Sequence, residues 1–201
     1  PTGTQFSVYS QNATKIELCL YDATGNTETA RLPMQRDEDG IHRLNVAQAI
    51  TGTRYGYRAH GPYAPDHGQW FDPAKLLLAP YATTIDRPFQ NHPSLFTFGE
   101  DTAAVMPKAV VSEAPIVTKE APRFTRTGLI YEVAVKPFTM LHPDIPEAIR
   151  GTVAAIAHPA IIAHLKKIGV SAVELMPITA WIDERHLPPL NLANGWGYNP
   201  I

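Results

Sequence analysis

The chain has 201 residues, 44% of them hydrophobic and 18% charged, and its formal net charge is −2 at pH 7. This length suits one large domain or two ordinary ones, and the apolar share is that of a globular protein. The near-neutral charge excludes the basic footprint of a nucleic-acid-binding or membrane-surface protein, so we expect neither partner. The sequence has no apolar run of the roughly 20 residues that span a bilayer, and no signal-peptide pattern.

Cys19 is the only cysteine, which excludes a disulfide within the chain. A lone thiol suits a reducing compartment, so we expect a cytoplasmic protein in which Cys19 is an ordinary strand residue rather than a nucleophile. Pro1 stands directly before a predicted strand without an initiator methionine, and Ile201 follows the last motif by two residues. We therefore expect a fragment of a longer protein.

Residues 1–87 show the short alternating segments and turn signals that are typical of a β-sandwich. Phe6 and Val8 alternate with polar residues within residues 4–10, and residues 15–21 alternate in the same way, so each strand is expected to bury one face. Stretches rich in Asp and Gly predict tight connections between further strands. The predicted turns are at residues 22–25, 37–40 and 51–53, and the further strands are at residues 42–46 and 54–59.

The segment after these strands is rich in leucine and then in proline. Leu76, Leu77 and Leu78 are too apolar for a free linker, so we expect them to be buried where two domains meet. Residues 88–127 contain recurring prolines and apolar residues without a helical or strand period. This composition indicates an irregular connection that packs over a surface.

Residues 128–177 have the pattern of a strand, a helix and a second strand. Two apolar, β-branched runs at residues 129–135 and 170–176 predict strands covered on both faces, as in a parallel sheet. Between them, Pro159 opens an amphipathic helix that Gly169 closes. A helix between two strands indicates a parallel pair, and this local pattern fits both a β/α barrel and an open α/β sheet.

Three ordered motifs indicate which of these folds to expect. Residues 131–139 (YEVAVKPFT), 173–178 (VELMPI) and 194–199 (NGWGYN) resemble the first strand, the second strand and the approach to the third strand of the α-amylase superfamily, glycoside hydrolase family 13. Residues 140–152 and 183–187 are similar to the glycogen debranching enzymes of the isoamylase type within that family.

The resemblance extends to the N-terminal region, because residues 61–63 and 71–82 look like the segment that joins a family 48 carbohydrate-binding module to the barrel. It implies an immunoglobulin-like β-sandwich module at residues 1–87 and an irregular connecting segment at residues 88–127. Residues 128–201 would hold the first strands of a truncated (β/α)8 TIM barrel. Since two strands leave sheet faces and an edge uncovered, we expect missing residues, another chain or self-association to complete it.

The resemblance also implies a function. The whole protein would hydrolyse α-1,6-glucosidic branch linkages in glycogen or a related branched α-glucan by a retaining mechanism, without a cofactor. The family's nucleophilic Asp, acid/base Glu and stabilising Asp come from the fourth, fifth and seventh strands, so we expect all three beyond Ile201 and this segment alone to be inactive. Glu132 and Glu174 lie inside the predicted strands, several residues before their ends, and are expected to be structural carboxylates hydrogen-bonded within the barrel.

Five residues are predicted to contact the substrate. Tyr198 matches the family tyrosine that stacks under the sugar beside the scissile bond, and Trp196 is a second aromatic of the same motif. Asp183, Arg185 and His186 follow the second predicted strand. They either line the substrate groove or belong to a loop held by an internal Asp–Arg pair.

Three positions depart from the family pattern, since Ala134 replaces a usual His, Pro137 a usual Gly, and Gly195 a common aromatic. A non-catalytic or decayed glycan-binding protein is therefore an alternative. A branching enzyme or a maltooligosyl trehalose trehalohydrolase is another, because both share the module and barrel plan. The long loop at residues 179–194 favours a debranching enzyme.

The remaining candidates are histidines and aromatics. The spacing of His142, His158 and His164 is not that of metal ligands, and His158 is better placed as a helix N-terminal residue, so we expect no metal. Six aromatics of the N-terminal module form either a glycan-stacking surface or ordinary sandwich packing. They are Tyr9, Tyr21, Tyr55, Tyr57, Tyr63 and Trp70.

Overall fold

The structure is a computed structural model that describes residues 3–113 and 127–201. The chain divides into two compact units, unit 1 (residues 1–115) and unit 2 (residues 116–201). None of the helices in the described ranges has the length and apolar character that crossing a membrane requires.

Unit 1 consists of short strands with two single-turn 3-10 helices, at Pro65–His67 and Pro93–Phe96. Its described strands are β1 (Thr4–Tyr9), β2 (Lys15–Tyr21), β3 (Glu28–Pro33), β4 (Gln35–Arg36), β5 (Ile41–Val46), β6 (Arg54–His60), β7 (Tyr63–Ala64), β8 (Gln69–Trp70) and β9 (Ala109–Val110).

Two antiparallel sheets enclose the core of unit 1. One sheet has the strand order β1-β5-β4 and the other β3-β2-β6-β9. Phe6 and Val46 from the first sheet share a buried cluster with Ile16, Leu18 and Tyr57 from the second. The two sheets therefore form the sandwich that the alternating pattern predicts, with its apolar side chains turned inward.

The central strand β2 is buried on both faces, so the prediction of a single buried face is wrong for this strand. Leu18 points into the sandwich core, whereas Cys19 and Tyr21 pack with Leu76 in a second cluster on the other face. Burial raises the pKa of the Cys19 thiol to about 11, which agrees with its predicted role as a strand residue and not a nucleophile.

The leucine triplet belongs to unit 1 itself. Leu76 and Leu78 pack into its clusters, whereas Leu77 is partly exposed and exchanges two backbone hydrogen bonds with Tyr57, at 2.9 and 2.7 Å. The predicted burial at a junction of two domains is therefore wrong for Leu76 and Leu78, which pack within unit 1. Leu76 covers the face of β2 that carries Cys19 and Tyr21.

The segment predicted as an irregular connection contains a strand. β9 pairs with β6, and the amide of Asp86 donates to the carbonyl of Lys108 at 2.9 Å, which ties this segment to unit 1. The guanidinium of Arg58 is buried and donates to both carboxylate oxygens of Asp101 at 2.9 Å. Unit 1 therefore extends past the predicted boundary at residue 87.

Unit 2 is built from two strands and short helices. Its described elements are β10 (Leu129–Val133), α1 (Val135–Thr139), a 3-10 helix (Glu147–Ile149), α2 (Val153–Ile156), α3 (Pro159–Lys167), β11 (Val170–Leu175) and a second 3-10 helix (Pro188–Leu190).

β10 and β11 pair in parallel, as predicted, with α3 between them in the chain. The Nδ1 atom of His158 accepts the Ala160 amide at 3.3 Å, and Gly169 has a positive φ of 78°, so both helix ends have their predicted caps. Ile161 and Leu165 of α3 pack into the small core of unit 2. The first strand is shorter than predicted, because Val135 already begins α1.

Large parts of this strand pair are exposed. Leu129, Ile130 and Val173 have exposed side chains, and Glu132 lies directly opposite Glu174 in the parallel register. Both glutamates are exposed and next to last in their strands. The prediction that they lie several residues before the strand ends is therefore wrong, whereas their hydrogen bonding within a barrel stays a prediction.

Candidate functional site

Unit 2 has a cavity of about 690 Å³ at the carboxyl ends of β10 and β11. Ala134 and Met176, which directly follow the two strands, form part of its wall. The carboxyl ends of neighbouring parallel strands meet at one edge of a sheet, and the loops that follow them build the sites of α/β folds. We name this space the strand-end cavity, and its other walls include Lys136, Trp181, Asp183 and Trp196.

The turn at residues 194–198 forms one wall of the strand-end cavity and depends on a buried amide. The Oδ1 atom of Asn194 accepts the backbone N–H groups of Trp196 at 3.0 Å and Gly197 at 3.1 Å. Its Nδ2 atom donates to the carbonyl of Tyr198 at 2.5 Å. The backbone amide of Asn194 donates to Oδ1 of Asp183 at 2.7 Å, which joins the turn to the loop after β11.

Gly197 lets this turn lie directly against the end of β11. Its φ is 77°, and a Cβ atom on this residue would stand 2.6 Å from the backbone oxygen of Pro177. A side chain would therefore meet both an unfavourable backbone conformation and a backbone atom that does not yield. This steric conflict explains why the motif has a glycine between Trp196 and Tyr198.

The five predicted substrate contacts are distributed unevenly. Asp183 and Trp196 line the strand-end cavity, whereas Tyr198, Arg185 and His186 lie in the same loops but do not line it. Trp196 is 70% exposed and Tyr198 53% exposed, so both rings are free to meet a ligand. Asp183 also has a local structural task, because it accepts the Asn194 amide.

The three departures from the family pattern all line the strand-end cavity. Ala134 and Pro137 stand on the side of β10 and α1, and Gly195 belongs to the turn opposite. Ala134 and Gly195 are smaller than the residues usual at these positions in the family. The cavity wall is therefore less filled there than the resemblance implies.

Sequence reasoning missed several residues of this cavity, among them Lys136, Trp181 and Asn194. Asn194 stands before a glycine, which is a turn signal that points to a change of chain direction but not to burial. Thr139 was also missed: it is fully buried, and its Oγ1 atom accepts the amide of Gly151, another cavity residue, at 2.9 Å.

Unit 1 has an exposed group of aromatic side chains, the aromatic surface, formed by Tyr63, Trp70 and Phe98. The ring centroids of Tyr63 and Trp70 are 6.1 Å apart, and those of Tyr63 and Phe98 are 4.3 Å apart. Trp70 also lines a cavity of about 380 Å³ beside polar residues that include Asn12 and Gln69.

The other predicted aromatics of unit 1 divide between core and surface. Tyr21 and Tyr57 are buried, and Tyr55 packs edge to face on Phe6 with ring centroids 4.9 Å apart. These three rings are occupied by sandwich packing. Tyr9 is exposed but lies outside the aromatic surface.

Two of the three candidate histidines accept a backbone amide close by in the sequence. His158 caps α3, and Nδ1 of His142 accepts the amide of Asp144 at 3.2 Å. Residues 3–113 and 127–201 contain no group of three His, Cys, Asp or Glu side chains that is arranged to hold a metal ion.

Comparisons with known proteins give a match in unit 1. Residues 1–82 match the family of carbohydrate-binding module 48, the isoamylase N-terminal domain. Along its whole length the chain is related to glycogen debranching enzymes. It is 41% identical to those of Salmonella typhi and Salmonella dublin over 208 aligned positions, which cover 99% of this chain and 31% of each relative. The chain thus spans about a third of the length of the curated relatives it matches.

Solved structures share the fold. The pullulanase of Paenibacillus barengoltzii, in complex with maltohexaose and alpha-cyclodextrin, matches with a TM-score of 0.64 and 22% identity over 100% of this chain and 30% of its own. The pullulanase of Anoxybacillus sp. LM18-11, complexed with maltotetraose, matches with a TM-score of 0.68 and 21% identity over 100% of this chain and 27% of its own.

Proposed function

We propose that this chain is the N-terminal part of a glycoside hydrolase family 13 debranching enzyme. The complete protein would hydrolyse α-1,6-glucosidic branch linkages in glycogen or a related branched α-glucan with retention. The observation that carries the proposal is the 41% identity to glycogen debranching enzymes along 99% of the chain. The strand-end cavity supports it, because it lies where an α/β fold builds its site and holds Trp196 and Asp183.

We propose further that residues 128–201 begin a (β/α)8 barrel. The parallel pairing of β10 and β11 through α3 is one unit of such a barrel. Ile130 and Val173 are exposed, although apolar strand residues in a barrel are covered on both faces. Later strands of the same polypeptide are the cover that best suits this parallel pair; another chain or self-association is the alternative.

In this proposal the described residues bind sugar and the bond-breaking groups come from elsewhere in the protein. Retaining hydrolysis needs two carboxyl groups about 5 to 5.5 Å apart on either side of the scissile bond. Glu132 and Glu174 do not line the strand-end cavity, so they are poor candidates for that pair. Trp196 and Tyr198 would provide flat apolar faces for the C–H groups of a pyranose. A cytoplasmic location is part of the same proposal.

The test is product analysis with the complete protein. Incubation with glycogen is expected to release linear malto-oligosaccharides, while unbranched amylose stays intact. Tyr198→Ala is expected to lower kcat/KM on glycogen by about tenfold or more, because a sugar-stacking face is lost. Tyr81→Ala removes an exposed tyrosine of unit 1 and serves as the matched control, with unchanged kcat/KM.

Each alternative predicts a different product. Release of trehalose would identify a trehalohydrolase, and an increase in branch points would identify a branching enzyme. If the complete protein leaves glycogen unchanged, the enzyme proposal fails and a non-catalytic glycan-binding protein takes its place.

Glucan binding by unit 1 is a second proposed function, and the aromatic surface favours it. Three touching aromatic rings with exposed fractions of 48%, 66% and 56% are a large apolar group for a free surface. Hydroxyls of a glucan would find hydrogen-bond partners in Asn12 and Gln69 nearby. Trp70→Ala is expected to weaken retention of the chain in glycogen-containing affinity gels. Tyr81→Ala is again the control, and equal retention of the two variants would contradict this role.

A further inference from the structure

The side chain of Asn194 makes several hydrogen bonds within unit 2. It is buried, and its amide group contacts the backbone at three following residues, Trp196, Gly197 and Tyr198. A fourth contact runs from Nδ2 to Oε1 of Glu184 at 3.4 Å. A buried amide with partners for both its donor and its acceptor fixes the conformation of the segment around it.

We propose that Asn194 is the positioning residue for the aromatic pair Trp196 and Tyr198, and through them for a linear α-glucan segment that contacts both rings and reaches the strand-end cavity at Trp196. This inference rests on the proposed function. Asn194 itself is not expected to touch the glucan, since its side-chain oxygen and nitrogen already form hydrogen bonds within unit 2. Its effect would pass through the placement of the two rings.

The two halves of the amide have separate tasks. Oδ1 closes the turn by accepting from Trp196 and Gly197, so it sets the direction in which the Trp196 ring leaves the turn. Nδ2 holds the carbonyl of Tyr198, so it sets the chain direction at the second ring. The backbone contact to Asp183 and the contact to Glu184 then fix the whole turn against the loop after β11.

Neighbouring contacts make the turn rigid enough for such a role. Ile182 and Asn199 exchange hydrogen bonds, from the Ile182 amide to the Asn199 carbonyl at 2.9 Å and from Nδ2 of Asn199 to the Ile182 carbonyl at 3.2 Å. The Ile201 amide donates to the carbonyl of Ala180 at 3.0 Å. The residues that follow the turn are therefore tied to residues 180–182, and the backbone amide of Asn194 ties its start to Asp183.

The test uses two substitutions at one position. Asn194→Ala removes both halves of the amide, whereas Asn194→Asp keeps an oxygen to accept from Trp196 and Gly197 but loses the donor to Tyr198. Asn191→Gly is the matched control, because Asn191 is an exposed asparagine of the same loop with a φ of 56°, which glycine adopts without strain.

The first measurement is backbone hydrogen exchange in the complete protein. In Asn194→Ala the amides of Trp196 and Gly197 are expected to exchange at least about tenfold faster, while those of α3 keep their protection. Asn194→Asp is expected to restore slow exchange at these two amides. Unchanged exchange in Asn194→Ala overturns the inference, as does equal loosening of α3, which would indicate a general loss of structure.

The second measurement is kinetics on branched glucan. Asn194→Ala is expected to raise KM about five- to tenfold, the scale of one buried hydrogen bond, with a smaller effect on kcat. Faster exchange at the turn with unchanged KM and kcat overturns the inference while the proposed function stands. If the unsubstituted protein does not cleave glucan, the proposed function fails, and maltohexaose binding measured by tryptophan fluorescence takes the place of KM.

Discussion

The two units differ in how their strands are covered. In unit 1 the central strand β2 is buried on both faces, with Leu18 in the sandwich core and Cys19 in the cluster behind it. In unit 2 the small core around Ile161 coexists with exposed apolar strand residues such as Ile130. The described residues thus cover both faces of β2 in unit 1, whereas they leave apolar residues of β10 in unit 2 exposed.

An apolar residue in a strand can therefore indicate two different locations for the group that covers it. In β2 of unit 1 an apolar residue predicts a contact that the described residues themselves provide. In unit 2 the same kind of residue predicts a contact with groups outside those described, which is the basis for the proposed barrel. Substitutions that are similar in chemistry should therefore have unequal effects in the two units.

The largest expected effect is that of Leu18→Ala. Truncating a fully buried leucine costs about 2 to 5 kcal/mol of unfolding free energy, because contacts are lost and a cavity remains. Ile130→Ala in the 201-residue chain is expected to cost less than about 0.5 kcal/mol, since the side chain is 53% exposed. Hydrogen exchange of each unit measures both effects separately, because two units need not unfold together. Equal costs would contradict the difference between the two units. A large cost of Ile130→Ala in the complete protein alone would support a cover for β10 from outside the described residues.

A smaller effect is expected for Gly197→Ala in unit 2. The new Cβ would meet the Pro177 oxygen, and the backbone would be held at a φ that alanine disfavours, so we expect a local cost of about 1 to 3 kcal/mol. Gly195→Ala is the control, because no atom lies within 4 Å of its added Cβ and its φ is not in the positive range. The readout is amide exchange at residues 194–199. Equal exchange in the two variants would show that unit 2 accommodates a Cβ atom at residue 197 without loss of stability.

The smallest expected effect is a pH dependence from His42 in unit 1. Its ring is buried, and neither ring nitrogen has a hydrogen-bond partner within the described ranges. Burial, together with the positive charge of Arg36, lowers the pKa of His42 below its usual range.

The sign of the effect follows from the neutral folded form of His42. An unfolded histidine takes up a proton near pH 6.5, whereas the buried ring does so only at lower pH, so the stability of unit 1 should fall as the pH drops from about 7 to 5. His42→Leu is expected to flatten this part of a urea-unfolding series against pH. Identical slopes in the two proteins would show that another group controls the response.

Local signals explain which parts of the fold the sequence predicts. The helix from Pro159 to Lys167 has a proline at its start and a glycine after its end, so its bounds follow from neighbouring residues alone. The alternation of β2 likewise predicts its core face. Its second buried face depends on Leu76, far along the chain, and no short-range pattern predicts that contact.

For the candidate site, the sequence indicates some of the residues but not how they are arranged. The motif at residues 194–199 indicates the aromatic pair through family resemblance, whereas the burial of Asn194 depends on how the loop after β11 folds back. The end of β10 was predicted too late because Val135 has the side chain of a strand residue. In the structure Val135 begins α1 instead, and the shorter strand places Glu132 next to its end.

The burial of Cys19 has a practical consequence for spectroscopy on this protein. The chain has a single cysteine, and its thiol is enclosed and has a raised pKa, so it reacts slowly with maleimide reagents. A cysteine introduced at an exposed position, such as Tyr81→Cys, therefore takes up a spin or fluorescent label selectively without replacement of the native thiol. Distances measured between such labels, one in each unit, would give the arrangement of the two units in solution.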